Sequence, residues 1–271
     1  MNNQVVLITG ASAGMGKETA KYLRQKGYIV YGAARRIDKM EDLKQLGIKV
    51  LSMDVSDEVS MVNGINQIIQ EEGRIDVLMN NAGFGSYGAV EDVPITDAKY
   101  QLEVNVFGLA RLTQLMLPYM RANRFGKIVN VTSIGGKMAT PLGGWYHASK
   151  FAVEGLSDSL RMEVKPFGID VILIEPGGIK TEWQGIANDS MRKVSGNTAY
   201  KHLVEKASNV GVKGESNFHE PDVIAHLVYK AIQAKKPKAR YSAGYMAKPI
   251  LFLKKVLSDN LFDKLIMSQL K

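Results

Sequence analysis

The chain has 271 residues, 45% hydrophobic and 23% charged, which excludes the disordered and fibrous classes and suffices for one full core. It contains no cysteine, which removes disulfide and thiolate chemistry, and His147, His202, His219 and His226 stand at no metal-ligand spacing. The formal charge of +8 is concentrated in residues 235–271, nine Lys or Arg against Asp259 and Asp263; lacking the aromatic interleaving of single-strand binders, this excess does not predict nucleic-acid binding.

The opening Met1-Asn2-Asn3-Gln4 has no basic stretch and the apolar run after it stops at Ile8, so no secretory signal is expected and the cytoplasm is the expected compartment. That run, 5–9, is the first of six short apolar segments; the others lie at 28–34, 50–55, 75–79, 127–132 and 169–174. Their β-branched content and flanking Gly, Asp or Asn predict buried parallel strands. Helical spacing fills 14–26, 57–72, 97–122 and 148–166, as with Leu109, Leu112, Leu115 and Met116. Such alternation predicts a single α/β domain, a parallel sheet of about seven strands with helices on both faces.

Beyond residue 182 the periodicity weakens, and 185–220 reads as an irregular polar connection, long enough to be a lid. Residues 250–270 place Ile250, Leu253, Leu257, Leu261 and Leu265 on one helical stripe beside Lys254, Lys255 and Lys264. A basic amphipathic helix is expected over 247–271, lying on the domain, on a second subunit or on an anionic membrane surface. The sequence holds no apolar run of about twenty residues that would span a membrane.

The chemistry-bearing residues follow the strands. The first strand runs into Thr9-Gly10-Ala11-Ser12-Ala13-Gly14-Met15-Gly16, where a glycine-rich turn opening a helix lets the backbone approach a pyrophosphate. Asn80-Asn81-Ala82-Gly83 ends the fourth strand, Asn105 lies in the next helix, and Ser133 follows the fifth strand. Tyr146 and Lys150, four apart, share one helix face, and Pro176-Gly177-Gly178-Ile179-Lys180-Thr181 follows the sixth strand. A phenol near pKa 10 is a poor acid–base group at neutral pH; an ammonium beside it lowers that value, and Lys150 supplies one. Singly, each of these residues reads as packing, capping or surface charge. His147 is expected on the helix flank, and the sequon at Asn130 lies in a predicted buried strand and reads as structural.

Taken together and in order, these motifs resemble the short-chain dehydrogenase/reductase family from residue 4 to about 181, through the pattern Thr-Gly-x-x-x-Gly-x-Gly and the Tyr-x-x-x-Lys pair. The resemblance implies a Rossmann-type doubly wound fold, a nicotinamide cofactor, and hydride transfer between a carbonyl and an alcohol. It assigns proton transfer to Tyr146, the orienting of the substrate oxygen to Ser133, and the nicotinamide ribose to Lys150. Asn105 would position a water leading to Lys150. Gly10, Ser12, Gly14, Met15, Gly16, Asp54, Val55, Asn81, Ala82, Gly83, Tyr146, Lys150, Pro176, Gly177, Ile179 and Thr181 would line the cofactor, with Asp54 at the adenine.

Relatives that prefer NAD carry an acid at the end of the second strand; here Ala34 stands there and Arg35-Arg36 follow. Guanidinium groups suit a 2′-phosphate, so NADP(H) is expected, with Arg35 the main contact and Arg36 beside it. The alternative for this pair is a solvated basic turn. Trp183, Ile186, Met191, Tyr200 and Leu203 in the lid, and Trp145 beside Tyr146, favour an apolar substrate such as a lipid-like or steroid-like ketone. A homodimer or homotetramer is implied by the resemblance. A sensor or scaffold that keeps the fold without the reaction is the alternative function; such relatives lose the Tyr or the Lys, and both are present here.

Overall fold

Successive residues of strand β1 (Val5–Thr9) point to opposite sides of a sheet, and both sides are dry. Val6 and Ile8 enter one core with Ala20 and Leu23 of helix α1 (Gly14–Gln25) and Ile224 and Val228 of the helix at 222–233. Val5 and Leu7 enter the other, with Met61, Ile65 and Ile68 of the helix at 58–72 and Leu112 and Met116 of the helix at 109–122. Burial on both faces is why the central strands are continuous apolar runs.

The computed structural model describes residues 3–270, with 212 and 213 described by their backbone alone; Met1, Asn2 and Lys271 lie outside the described residues. The remaining strands are β2 (Ile29–Ala34), β3 (Lys49–Ser52), β4 (Val77–Asn80), β5 (Gly126–Val131), β6 (Ile169–Pro176) and β7 (Arg240–Ala243). They form one parallel sheet ordered β3-β2-β1-β4-β5-β6-β7, with Ile8 opposite Gly32 on one side and Met79 on the other. The order reverses between β1 and β4, and the crevice at the carboxyl ends of those strands is where an open α/β sheet binds its ligand.

The other helices are α2 (Glu41–Gln45), α3 (Glu58–Glu72), α4 (Ile95–Leu102), α5 (Leu109–Ala122), α6 (Gly144–Val164), α7 (Trp183–Ser195), α8 (Lys201–Glu215), α9 (Asp222–Gln233), α10 (Ala247–Val256) and α11 (Asp259–Ser268). The segment expected as one helix over 97–122 contains a π turn at Glu103–Gly108, between α4 and α5, with Asn105 inside it.

The structure corrects two further expectations. The irregular lid over 185–220 is two helices, α7 and α8, whose buried positions include Ala187, Met191, Ser195 and Val204; small and polar buried residues conceal the period from a search for apolar stripes. The C-terminal stripe is not one helix either. The chain is extended at Leu257 between α10 and α11, and Phe262 is buried where Leu261 is exposed. The basic segment is also divided: Lys235, Lys236 and Lys238 precede β7, at the opposite end of that strand from α10.

Candidate active site

Thr9, the last residue of β1, holds the glycine-rich turn against the end of β4. Its Oγ1 accepts from the backbone N–H of Asn81 and of Ala82, each at 3.0 Å. The Asn81 side chain returns the link, Nδ2 donating to Thr9 O at 2.9 Å and Gly10 O at 3.3 Å. Gly10 (φ 68°) and Gly14 (φ 54°) lie in the left-handed region, where a side chain would be strained. At Gly16 a Cβ would run into Asn81 Nδ2 and Gly10 O. Bare backbone therefore floors the crevice where α1 begins, as close approach of a phosphate group requires. Ser12 and Met15 complete the turn, the Met15 carbonyl accepting from Thr19 Oγ1 at 2.7 Å.

The second wall is the turn after β6. Gly177 N donates to Ala243 O at 2.8 Å, Ile179 bridges to His219, and Thr181 Oγ1 accepts from Trp183 N at 3.3 Å where α7 starts. A Cβ on Gly14 would meet Thr181 Cγ2 at 3.1 Å, so the turns after β1 and β6 face each other across the crevice, Pro176 ending β6 behind them.

Tyr146 lies in the first turn of α6, which starts at Gly144 rather than at 148. Ser133, whose Oγ accepts from Gly135 N at 3.0 Å, pulls the pKa of the Tyr146 phenol down, but burial dominates and pushes it up to about 12. Lys150, one turn on, sends Nζ to Val131 O at 2.9 Å and lies 5.9 Å from the Tyr146 ring centre. Burial brings its pKa down to about 8 against an upward pull from Glu154. The expectation that Lys150 lowers the phenol is not met here: the ammonium serves a backbone carbonyl and desolvation decides both values. Gly83 completes this group, since a Cβ there would stand 3.0 Å from Asn105 Oδ1 and 3.9 Å from Lys150 Nζ.

Asn105 acts as a brace. Its Oδ1 accepts from Phe84 N at 3.0 Å, and Nδ2 donates to Phe84 O at 2.9 Å and Ser149 Oγ at 3.1 Å. Both amide donors are thus committed to protein atoms.

His147 is buried rather than on the helix flank. Thr140 N donates to Nε2 at 3.0 Å, so Nδ1 carries the proton and donates to Gly135 O at 2.9 Å. Burial holds its pKa below the usual value. The imidazole thereby ties the loop that carries Ser133 to the helix that carries Tyr146. No spacing rule announces it, because its partners are backbone groups.

The aromatic groups beside the phenol are Trp183 and Tyr87, with ring centres 5.1 and 5.6 Å from Tyr146. Trp145, expected in that place, has its indole Nε1 buried without a partner among the described residues. Tyr87 carries no sequence signal, and burial pushes its hydroxyl well above the usual phenol range. Its backbone is stitched to α7, Tyr87 N donating to Ser190 Oγ at 3.0 Å and Ser190 Oγ to Tyr87 O at 3.1 Å. Among the lid residues expected to offer apolar surface, Trp183 is the one in ring contact with the phenol. Met191, Tyr200 and Leu203 pack with Ala89, Leu142 and Val204 instead, and Ile186 is exposed.

At the end of β2 the two arginines diverge. Arg35 Nη1 donates to Tyr100 OH at 2.9 Å and lies 3.8 Å from Asp54 Oδ2. Arg36 Nη2 donates to Ser12 Oγ at 3.3 Å, and Nη1 lies 3.7 Å from Glu182. Asp54 also accepts from Ser56 N and Ser56 Oγ, at 2.9 and 2.7 Å, with Val55 buried beside it.

The short chain dehydrogenase family model matches residues 4–192. The chain is 39% identical to a 3-ketodihydrosphingosine reductase of Bacteroides thetaiotaomicron, over 97% of this chain and 96% of that one. It is 34% identical to an NADPH-dependent 3-dehydrocapnine reductase of Ornithobacterium rhinotracheale, over 98% and 96%. A crystal structure of a short-chain dehydrogenase from Streptomyces avermitilis superposes with a TM-score of 0.84 at 32% identity, over 98% of this chain and 96% of that one. The chain belongs to the short-chain dehydrogenase family and is an oxidoreductase.

Proposed function

We propose that this short-chain dehydrogenase is an NADPH-dependent reductase of an apolar, lipid-like ketone, with Tyr146 as its proton donor. The observation that carries the reading is the buried Tyr146 phenol, under the influence of Ser133 and pushed up to about 12, with Lys150 one helical turn away. At neutral pH such a phenol is protonated, the form that gives a proton to a carbonyl oxygen. Ser133 shares that oxygen and fixes its place. The Lys150 ammonium steadies the phenolate left behind, and its value near 8 suits it to returning the proton. Trp183 and Tyr87 wall off water.

When bound, the nicotinamide supplies the hydride. The turns at Gly10–Gly16, Asn81–Gly83 and Pro176–Thr181 would hold the dinucleotide, with Asp54 and Val55 toward the adenine. Arg35 and Arg36 would take the 2′-phosphate, Arg36 through the neighbourhood of Ser12. The absence of an acid at Ala34 and the NADPH dependence named for the Ornithobacterium relative support this choice of cofactor. The aromatic walls, and the lipid ketone named for the Bacteroides relative, support the substrate class. Exposed Phe107, Phe151 and Met162 along the long helices are what a homodimer or homotetramer would cover.

The test is NADPH oxidation across ketones and aldehydes of increasing chain length, comparing wild type with Tyr146→Phe. The variant is expected to lose about 10²–10⁴-fold in kcat while binding NADPH as before. Activity that survives loss of the phenol refutes the mechanism, and a wild type that binds NADPH but turns over no carbonyl establishes a sensor instead.

A further inference from the structure

The last two helices hold large apolar side chains in solvent. Met246, Phe252, Val256, Leu261 and Met267 are all exposed, Phe252 to 64%. On α10 the exposed positions Lys248, Pro249, Phe252, Lys255 and Val256 recur at three- and four-residue spacing, so one helix face mixes lysines with apolar groups. On α11, Leu261, Lys264 and Met267 repeat the pattern. Other residues hold the pair in place: Ala247 and Phe262 are buried, and Lys254 bonds Asp259 at 2.6 Å while lying over the Phe262 ring. Lys248, Lys255 and Lys264 have no carboxylate partner among the described residues.

We infer that α10 and α11 form a docking surface for an anionic lipid membrane. Phe252, Val256, Leu261 and Met267 would enter the headgroup region, and Lys248, Lys255 and Lys264 would meet lipid phosphates. Charge selects this occupant over a second copy of the chain, because a twofold contact would set a lysine-bearing face against itself. Among the described residues no helix is long and apolar enough to cross a membrane, and helices of ten residues with mixed faces lie on a surface. The surface adjoins the site. A Cβ on Gly177 would meet Ala247 N at 2.9 Å, and α10 packs on the Ile134–Gly136 turn that follows Ser133. Docking stands apart from the reduction chemistry, and it would bring the crevice to where a lipid ketone resides.

The test is co-sedimentation of the full chain with phosphatidylcholine vesicles made with and without phosphatidylglycerol. Wild type is expected to sediment with the anionic vesicles alone and to be released by salt. K248Q/K255Q/K264Q should bind on the order of a hundredfold more weakly, from roughly 1 kcal/mol per lysine at an anionic surface. F252S/V256S should also lose binding, while both variants keep the wild-type melting temperature and turnover of a water-soluble ketone. Wild type that stays in the supernatant, or a lysine variant that binds as wild type does, overturns the proposal. So does F252S/V256S that binds vesicles normally but changes a dimer into a monomer by light scattering, since the face then belongs to a second copy. Because binding is read by sedimentation, failure of the proposed reaction leaves this result separate.

Discussion

Raising the pH through Lys150 perturbs the proposed proton path at a single group. The ammonium is buried on α6 and its pKa is brought down to about 8 by desolvation, whereas Tyr146, pushed up to about 12, does not titrate in that range. With a value near 8, about nine-tenths of the lysine is charged near pH 7 and about one-tenth near pH 9. Since the charge steadies the phenolate, kcat/KM for carbonyl reduction should stay level to about pH 7, then fall by up to about tenfold per unit with a midpoint near 8. The fold does not fail over the same window. The unfolded lysine, near 10.5, binds protons that the folded one has released, so this group makes stability rise with pH between about 8 and 10.5. The assay is NADPH oxidation with a water-soluble ketone, with a fluorescence titration of NADPH at each pH to separate binding from turnover. Lys150→Gln should be slow at every pH and lose the alkaline limb. A wild-type profile that is level to about pH 10, or a Lys150→Gln profile with the same alkaline fall, would refute the role given to this charge.

Arg35→Ala and Arg36→Ala should each weaken NADPH binding by about tenfold to a hundredfold, the worth of a charge-assisted hydrogen bond, and leave NADH affinity unchanged; equal losses for both cofactors in a binding titration remove the 2′-phosphate assignment. Thr9→Val keeps the shape of the side chain but strips an acceptor from two backbone N–H groups, so urea unfolding should show a loss of about 2–3 kcal/mol, with Thr9→Ser restoring it. His147 is held neutral by burial and accepts from Thr140 N. The unfolded imidazole, near 6.5, takes up a proton that the folded one refuses, so stability falls as the pH drops below about 6.5 toward the lowered folded value. The difference in melting temperature between wild type and His147→Gln should therefore shrink as the medium is acidified from neutrality, and a constant difference contradicts the neutral, buried state assigned to the imidazole.

What the sequence made legible is what needs a particular residue type at a fixed place. The glycine-rich turn is visible because a left-handed backbone at Gly10 and Gly14 and a close approach at Gly16 restrict the choice of residue. Five of the six strands found by their apolar runs lie in the body of the sheet, and the sixth, β3, is an edge strand whose run from 50 to 55 still buries Leu51, Met53 and Val55. By contrast β7, Arg-Tyr-Ser-Ala at the sheet edge, is half-buried throughout and has no run to find. Helices α7 and α8 escaped for a related reason: Ala187, Ser195 and Ser208 are buried without being large or apolar. Tyr87 and His147 reach the site through tertiary contacts, Tyr87 by way of Ser190 and His147 by way of Thr140 and Gly135. Spacing along the chain does not encode such partners. The pKa of Tyr146 is illegible in spacing because it depends on the desolvation that both groups share and not on the proximity of an ammonium alone.

The edge strand that the sequence concealed bears directly on Lys150. Glu154 follows one turn later on α6, and a free carboxylate at that buried position would hold the ammonium charged far into the alkaline range. Its charge is taken up elsewhere. Glu154 pairs with Lys137 at 2.6 Å and with Arg240 of β7 at 2.9 Å, and accepts from Thr132 Oγ1 at 2.8 Å. Arg240 is itself divided among Glu154, Asp158 at 2.7 Å and Glu175 at 3.4 Å. Glu154 still pulls the Lys150 pKa upward, but the desolvation of the ammonium is the larger effect and brings the value down to about 8. Pairing with Glu154, Asp158 and Glu175 also removes Arg240 from the basic excess of the C-terminal segment. An arginine that reads in sequence as surface charge is, in the folded chain, a partner of the carboxylate one turn from Lys150.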